Sequence, residues 1–143
     1  MSSFVHLADD GLSWQLLYTK PHAEAWVEAN LRNQGFATLL PRIRTRGGTG
    51  ALFPRYVFAG HIASQRSRSF AGTFGVAYVV RCGATPALVP PDVIQEISLR
   101  MDGRGIVQLE ASTGTDSLFS ARAQERVATL ARFADAGFRV RIA

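Results

Sequence analysis

The sequence predicts an α+β domain built on a four-stranded antiparallel sheet with flanking helices. Short runs of strand formers alternate with two amphipathic stretches of helical period. Glycine- and proline-rich punctuation separates them. Two consecutive strand-like runs are joined by a brief glycine loop, which makes them antiparallel neighbours.

In chain order, residues 1–12 read as a frayed lead-in, and "LSWQLLYT" (12–19) as the first strand. "KPHAEAWVEANLRNQGF" follows as a helix: Pro21 suits its first turn, Glu24 its positive end and Gly35 the position just past its close. Ala23, Val27 and Leu31 recur at i, i+4 and i+8 as a core-facing stripe, with Trp26 at its flank. "FATLLPRIR" (36–44) is a second strand, "TRGGTGA" a hairpin connection, and "LFPRYVFAGH" (52–61) a third strand antiparallel to the second. Residues 63–73 are polar and irregular, with room for a short helix. "VAYVVRC" (76–82) is a fourth strand, "GATPALV" a loop, and "PPDVIQEISLRMD" a second helix with Val93, Ile94 and Ile97 apolar. The order β-α-β-β-(α)-β-α, with helices packed on one side of the sheet, is the ferredoxin-like or RNA-recognition pattern. The domain should span residues 1–102, followed by a linker over 103–117 and a tail over 118–143.

The third strand poses a problem. Alternation puts Leu52, Pro54, Tyr56 and Phe58 on one face and Phe53, Arg55 and Val57 on the other. A one-sided sheet carries one polar face, whereas this strand has apolar or aromatic residues on both.

Composition narrows the function. At 143 residues, 47% hydrophobic and 19% charged, the chain fits one soluble domain with an appendage. No apolar run approaches the ~18 residues needed to span a bilayer, and "MSSFVHLADDG" lacks the regions of a secretory signal. The single cysteine, Cys82, forms no internal disulfide, which fits a cytoplasmic setting. The net charge of +5 is unevenly spread. No acidic residue lies between Glu28 and Asp92, a window that holds Arg32, Arg42, Arg44, Arg46, Arg55, Arg66, Arg68 and Arg81. Lys20 is the one lysine. The arginine preference follows from phosphate recognition or from codon bias; the missing acids point to a polyanion-facing surface.

"WQLLYTKPHAE", a helix ending "LRNQGF", "LFPRYVFAG" and "FGVAYVVRCGATPALVPPDVIQEI" together, in this order, resemble the N-terminal (NGN) domain of the NusG family of bacterial transcription elongation factors, over about residues 13–102. The form of the last segment resembles the specialised RfaH-type members. The resemblance implies binding to RNA polymerase, with contacts to the clamp helices of the largest subunit, the opposite pincer and the non-template DNA strand, and reduced pausing. It implies an exposed apolar depression around Tyr56 and Phe58, with Ile94 and Ile97 on its rim and Cys82 beside them. Leu52, Phe53 and Pro54 continue that surface. Arg66, Ser67, Arg68 and Ser69 fall near the family's hydroxyl-rich contact to the opposite pincer. Tyr18, Lys20 and Thr73 match DNA-facing positions of RfaH-type members, with His22 alongside; Arg32 and Arg42 extend the basic surface. Pro21, Ala23, Trp26 and Phe74 depart from those relatives' polar or basic residues, although Trp26 and Phe74, unless buried, offer faces for base stacking.

Catalytic signatures are missing. His6, His22 and His61 lack metal-ligand spacing, and "RGGTG" lacks the Gly-Lys-Ser/Thr ending of a P-loop. Cys82 near His61 reads as a small core hydrophobe rather than a nucleophile. The expectation is a non-enzyme, without cofactor, acting as a monomer away from membranes. A free-standing RRM-type RNA-binding domain is the alternative, poorly matched by "PRYVFAGH"; a ferredoxin-like enzyme or sensor is a further one, with no convergent ionisable pocket in the sequence. In the tail, "QERVATLARFADAGFRVRIA" reads in two ways. It has the cadence of the first two strands of the family's small KOW barrel. Equally, Leu118, Val127, Leu130 and Phe133 make a stripe on a helix over 118–135, docked on the Tyr56/Phe58 patch, as the helical C-terminal domain of RfaH-type proteins docks. Four alanines between Ala121 and Ala131 favour the helix.

Overall fold

The sheet takes its order from which strands can bury both faces. The computed structural model describes residues 11–109 and 118–142, with side chains as far as residue 132. The elements are β1 (Ser13–Thr19), α1 (Glu24–Asn33), β2 (Ala37–Leu39), β3 (Arg42–Thr45), β4 (Gly48–Ala51), β5 (Tyr56–His61), β6 (Val76–Val79), β7 (Arg81–Cys82), β8 (Thr85–Pro86), α2 (Pro91–Arg100) and α3 (Ala123–Ile142), with one 3₁₀ turn at Ala63–Gln65. The main sheet runs β2-β5-β1-β6 and every pairing in it is antiparallel. That is the predicted α+β order, with β1 and β5 at its centre. β3–β4 and β7–β8 form two small separate ribbons.

Alternation along the central strands feeds two cores. Leu17, Val57, Ala59 and Val79 join Val27 and Leu31 of α1 on one face. Trp14, Leu16 and Phe58 join Val93, Ile94 and Ile97 of α2 on the other, together with Leu118, Phe119 and Leu130 from the last described segment. Helices therefore cover both faces, not one side as expected. Both sets of alternating positions on β1 and β5 are apolar, and each needs a cover.

Local chemistry redraws several predicted elements. The run 36–44 breaks at Leu40–Pro41 into β2 and β3, and "TRGGTGA" is largely strand: Thr45 pairs with Gly48 around a two-residue turn. The third strand starts only at Tyr56, because Leu52–Arg55 form a bend and turn. Pro54 has no N–H to give a ladder, and Arg55 sits at φ +73°. Phe53 therefore does not lie opposite Phe58; it packs against it edge-on, with centroids 5.9 Å apart. α1 begins at Glu24, so Pro21 belongs to the preceding turn, where His22 adopts φ +61°. Gly35, at φ +88°, follows the helix end as expected. Past α2, Met101 bridges Val107 and Arg42 bridges Ile106, and both Ile106 and Val107 are buried. The rest of the expected linker, 110–117, and the lead-in, 1–10, lie outside the described residues, as does the side chain of Phe133.

Candidate functional site

The sheet face opposite α1 carries the first group of candidate residues. Leu52, Phe53, Phe58, Ile94 and Ile97 are all at most 1% exposed. Leu118, Phe119 and Leu130 belong to the same buried cluster, and Leu130 itself is 1% exposed. Polar ties reinforce the seal. Arg126 of α3 is buried, and its Nε donates to the Leu52 carbonyl at 2.6 Å while its Nη1 donates to the Ser120 carbonyl at 2.7 Å. Burial lowers the pKa of this guanidinium. Arg100 of α2 lies over the Phe119 ring at 4.1 Å. Pro54 is exposed and Tyr56 half-buried, the latter bordering a small cleft with Leu130, Ala131 and Cys82.

Tyr56 opens a row that sequence reading missed. Tyr18 pairs in register with Tyr56 on one side and Tyr78 on the other. The ring centroids are 5.1 and 4.9 Å apart, and the Arg55 guanidinium caps Tyr18 at 4.3 Å. These are all three tyrosines of the chain. Burial, then the neighbouring Tyr78 and Tyr18, raise the Tyr56 pKa, against a smaller opposing effect of Arg55. Arg55 is held in its left-handed conformation by its N–H on Glu24 Oε2 (2.8 Å) and its Nε on the Thr19 carbonyl (3.0 Å).

Around the sheet edge lies an exposed aromatic pair. Trp26 is 55% and Phe74 74% exposed, and their rings stack at 5.6 Å. Lys20 reaches this patch through its N–H on the Gly75 carbonyl at 2.8 Å. The described residues thus set an apolar sheet face, covered by α3, beside an exposed aromatic edge with Lys20. Among the described residues no cluster of three or more His, Cys, Asp or Glu could hold a metal ion, and no helix is long and apolar enough to cross a membrane.

Residues 12–98, more than half of the chain, match the family model for NusG, described as transcription termination factor nusG. The chain belongs to the NusG family. It thus carries a domain of a family of non-enzymatic transcription factors that interact with RNA polymerase. It is also similar to a solved structure described as "Domain interaction in Thermotoga maritima NusG", at 19% identity and a TM-score of 0.47, over 73% of this chain and 70% of that one. The family assignment stands on the sequence match alone.

The remaining candidates of this NusG-family chain fall in three places. Lys20 is exposed beside the Trp26/Phe74 pair, His22 is exposed and lines a cleft with Glu24, Arg42 and Thr49, and Thr73 is buried and accepts a hydrogen bond from Gln34 Nε2 at 2.9 Å. Arg32 and Arg42 converge instead on Glu28, at 3.2 and 3.5 Å, beside a cleft shared with Arg104. Arg66, Ser67, Arg68 and Ser69 are exposed and line a cleft with Gln15, His61 and Arg81, residues drawn from the α1 side of the sheet.

Proposed function

We propose that this domain binds RNA polymerase through the sheet face that α3 covers, as an RfaH-type elongation and antitermination factor. The observation that carries this reading is the cover itself. The apolar group of Leu52, Phe53, Phe58, Ile94 and Ile97 is sealed by Leu118, Phe119 and Leu130 of the last segment. A contiguous apolar face of this kind marks a partner site once uncovered. The RfaH-type resemblance supplies the partners: the clamp helices for this face, the opposite pincer for residues 66–69, and non-template DNA for Tyr18, Lys20, His22, Trp26 and Phe74. In this reading residues 118–143 form a separate inhibitory tail, and apparent affinity is lowered by the fraction of closed molecules.

Titration of the full chain against purified polymerase core tests this. Leu130→Asp places a charge at a buried contact and should displace α3 and tighten binding. Adding Tyr56→Ala and Phe58→Ala should then abolish it, since aromatic anchors at interfaces cost ~2 kcal/mol or more when truncated. Unchanged affinity in Leu130→Asp would refute inhibition by the tail. Retained binding in the folded triple variant would refute the sheet face as the contact.

A further inference from the structure

A cleft on the α1 face of the sheet is built for an anion. It encloses about 190 Å³ between Gln15, His61, Arg66, Arg68 and Arg81, with Ser67 and Ser69 beside the arginines. No acidic residue lines it, and none of the ion pairs of the described residues involves these three arginines. Each gives one N–H to a main-chain carbonyl, of Gly11, Gln34 and Ala84 respectively, which leaves further donors in every guanidinium. Ser69 Oγ accepts from the Ala71 N–H, so its own hydrogen remains to donate.

His61 supplies the second, independent observation. It is 3% exposed, stacked on Phe70 at 4.1 Å and edge-on to Phe36 at 5.5 Å. Its Nδ1 faces the amide nitrogen of Gln15 at 3.5 Å. In the tautomer that accepts there the ring proton sits on Nε2, which is buried, with the Arg68 main chain close to the ring but no well-aligned hydrogen bond. A buried donor without a well-aligned acceptor is costly, and three exposed arginines with no carboxylate in the cleft leave a locally positive potential. An oxyanion with several acceptor oxygens answers both, and guanidinium forks favour phosphate geometry.

We propose that this cleft binds a phosphoryl group, with His61, Arg66 and Arg81 as donors. The site lies on the face away from α3 and shares residues 66–69 with the proposed contact to the opposite pincer, and phosphate titration of the chain without polymerase tests it apart from that reading. The full chain alone, titrated with inorganic phosphate, should show saturable shifts of the His61 ring resonances. His61 is a core residue, so the exposed Arg66 and Arg81 carry the mutational test. Arg66→Gln and Arg81→Gln should each weaken binding roughly tenfold, as expected for one charge-assisted hydrogen bond. Arg104→Gln, at a different cleft, should leave it unchanged. Competition by a 5′-phosphorylated but not an unphosphorylated single-stranded oligonucleotide would assign the site to a terminal phosphate; competition by both would assign it to the backbone diester. Absence of saturable shifts, or equal weakening by Arg104→Gln, would overturn the proposal.

Discussion

A Cβ added at Gly75 would lie 2.7 Å from Cγ2 of Val27, on a backbone with φ of +92°. Neither the contact nor the dihedral suits an L side chain, and Val27 is in the core of α1. Gly75→Ala should therefore lose on the order of 2–3 kcal/mol of stability, read by denaturant unfolding. A neutral substitution would mean that the entry to β6 yields freely. His61 makes a pH-dependent contribution. Burial lowers its pKa below 6.5, the Arg68 main chain acts the other way, and the charges of Arg66 and Arg68 lower it further. The unfolded chain thus takes up the proton first as pH falls. The contribution is complete above pH 6.5 and is lost as pH drops from there through the folded-state value. Stability measured in an anion-poor buffer should fall across that window, and His61→Gln should flatten the fall. An equal slope in the variant would place the titration elsewhere.

Among the elements, α3 depends on a few particular contacts. Arg126 is the buried polar tie between it and the bend before β5, through the Leu52 carbonyl. Ser120 organises the helix entry: its Oγ donates to Glu125 Oε1 at 2.6 Å and accepts from the Arg122 N–H at 3.1 Å. Arg126→Ala leaves two buried carbonyls without donors, a cost of about 2–3 kcal/mol. That loss should fall on α3 opening rather than on the whole domain. Amide hydrogen exchange should accelerate in α3 while β1 and β5 stay protected. Uniform acceleration through all elements would mean that α3 opens only with the rest of the core.

Across the molecule, the acid-free window distributes its arginines instead of pooling them. Arg32 and Arg42 settle on Glu28 at the window's edge, Arg55 caps Tyr18, and Arg66, Arg68 and Arg81 gather around His61. With so few carboxylates nearby, binding of single-stranded DNA should weaken steeply as salt rises from ~50 to ~200 mM, because cation–phosphate contacts release counter-ions. A flat titration would leave codon usage as the reason for the arginines.

Much of the fold was legible because it rests on local rules. Strand formers in alternation, the Ala23/Val27/Leu31 stripe and the glycine after α1 act within a few residues of themselves, so element type and order could be read directly. The candidate site was legible only where a motif carried it, as around Tyr56 and Phe58. The tertiary structure decided the rest. Apolar residues on both faces of β5 fit helices on one side or on two, and only the docking of α1 on one face and of α2 and α3 on the other distinguishes these. The turn at Pro54–Arg55 moved Phe53 into Phe58's core, because Glu24 and Thr19, 31 and 36 residues away, hold Arg55 in place. The three tyrosines and the His61 cleft come from strand register, which brings together residues that are far apart in the chain. Burial and charge pairing depend on those distant partners, and no window along the sequence contains them.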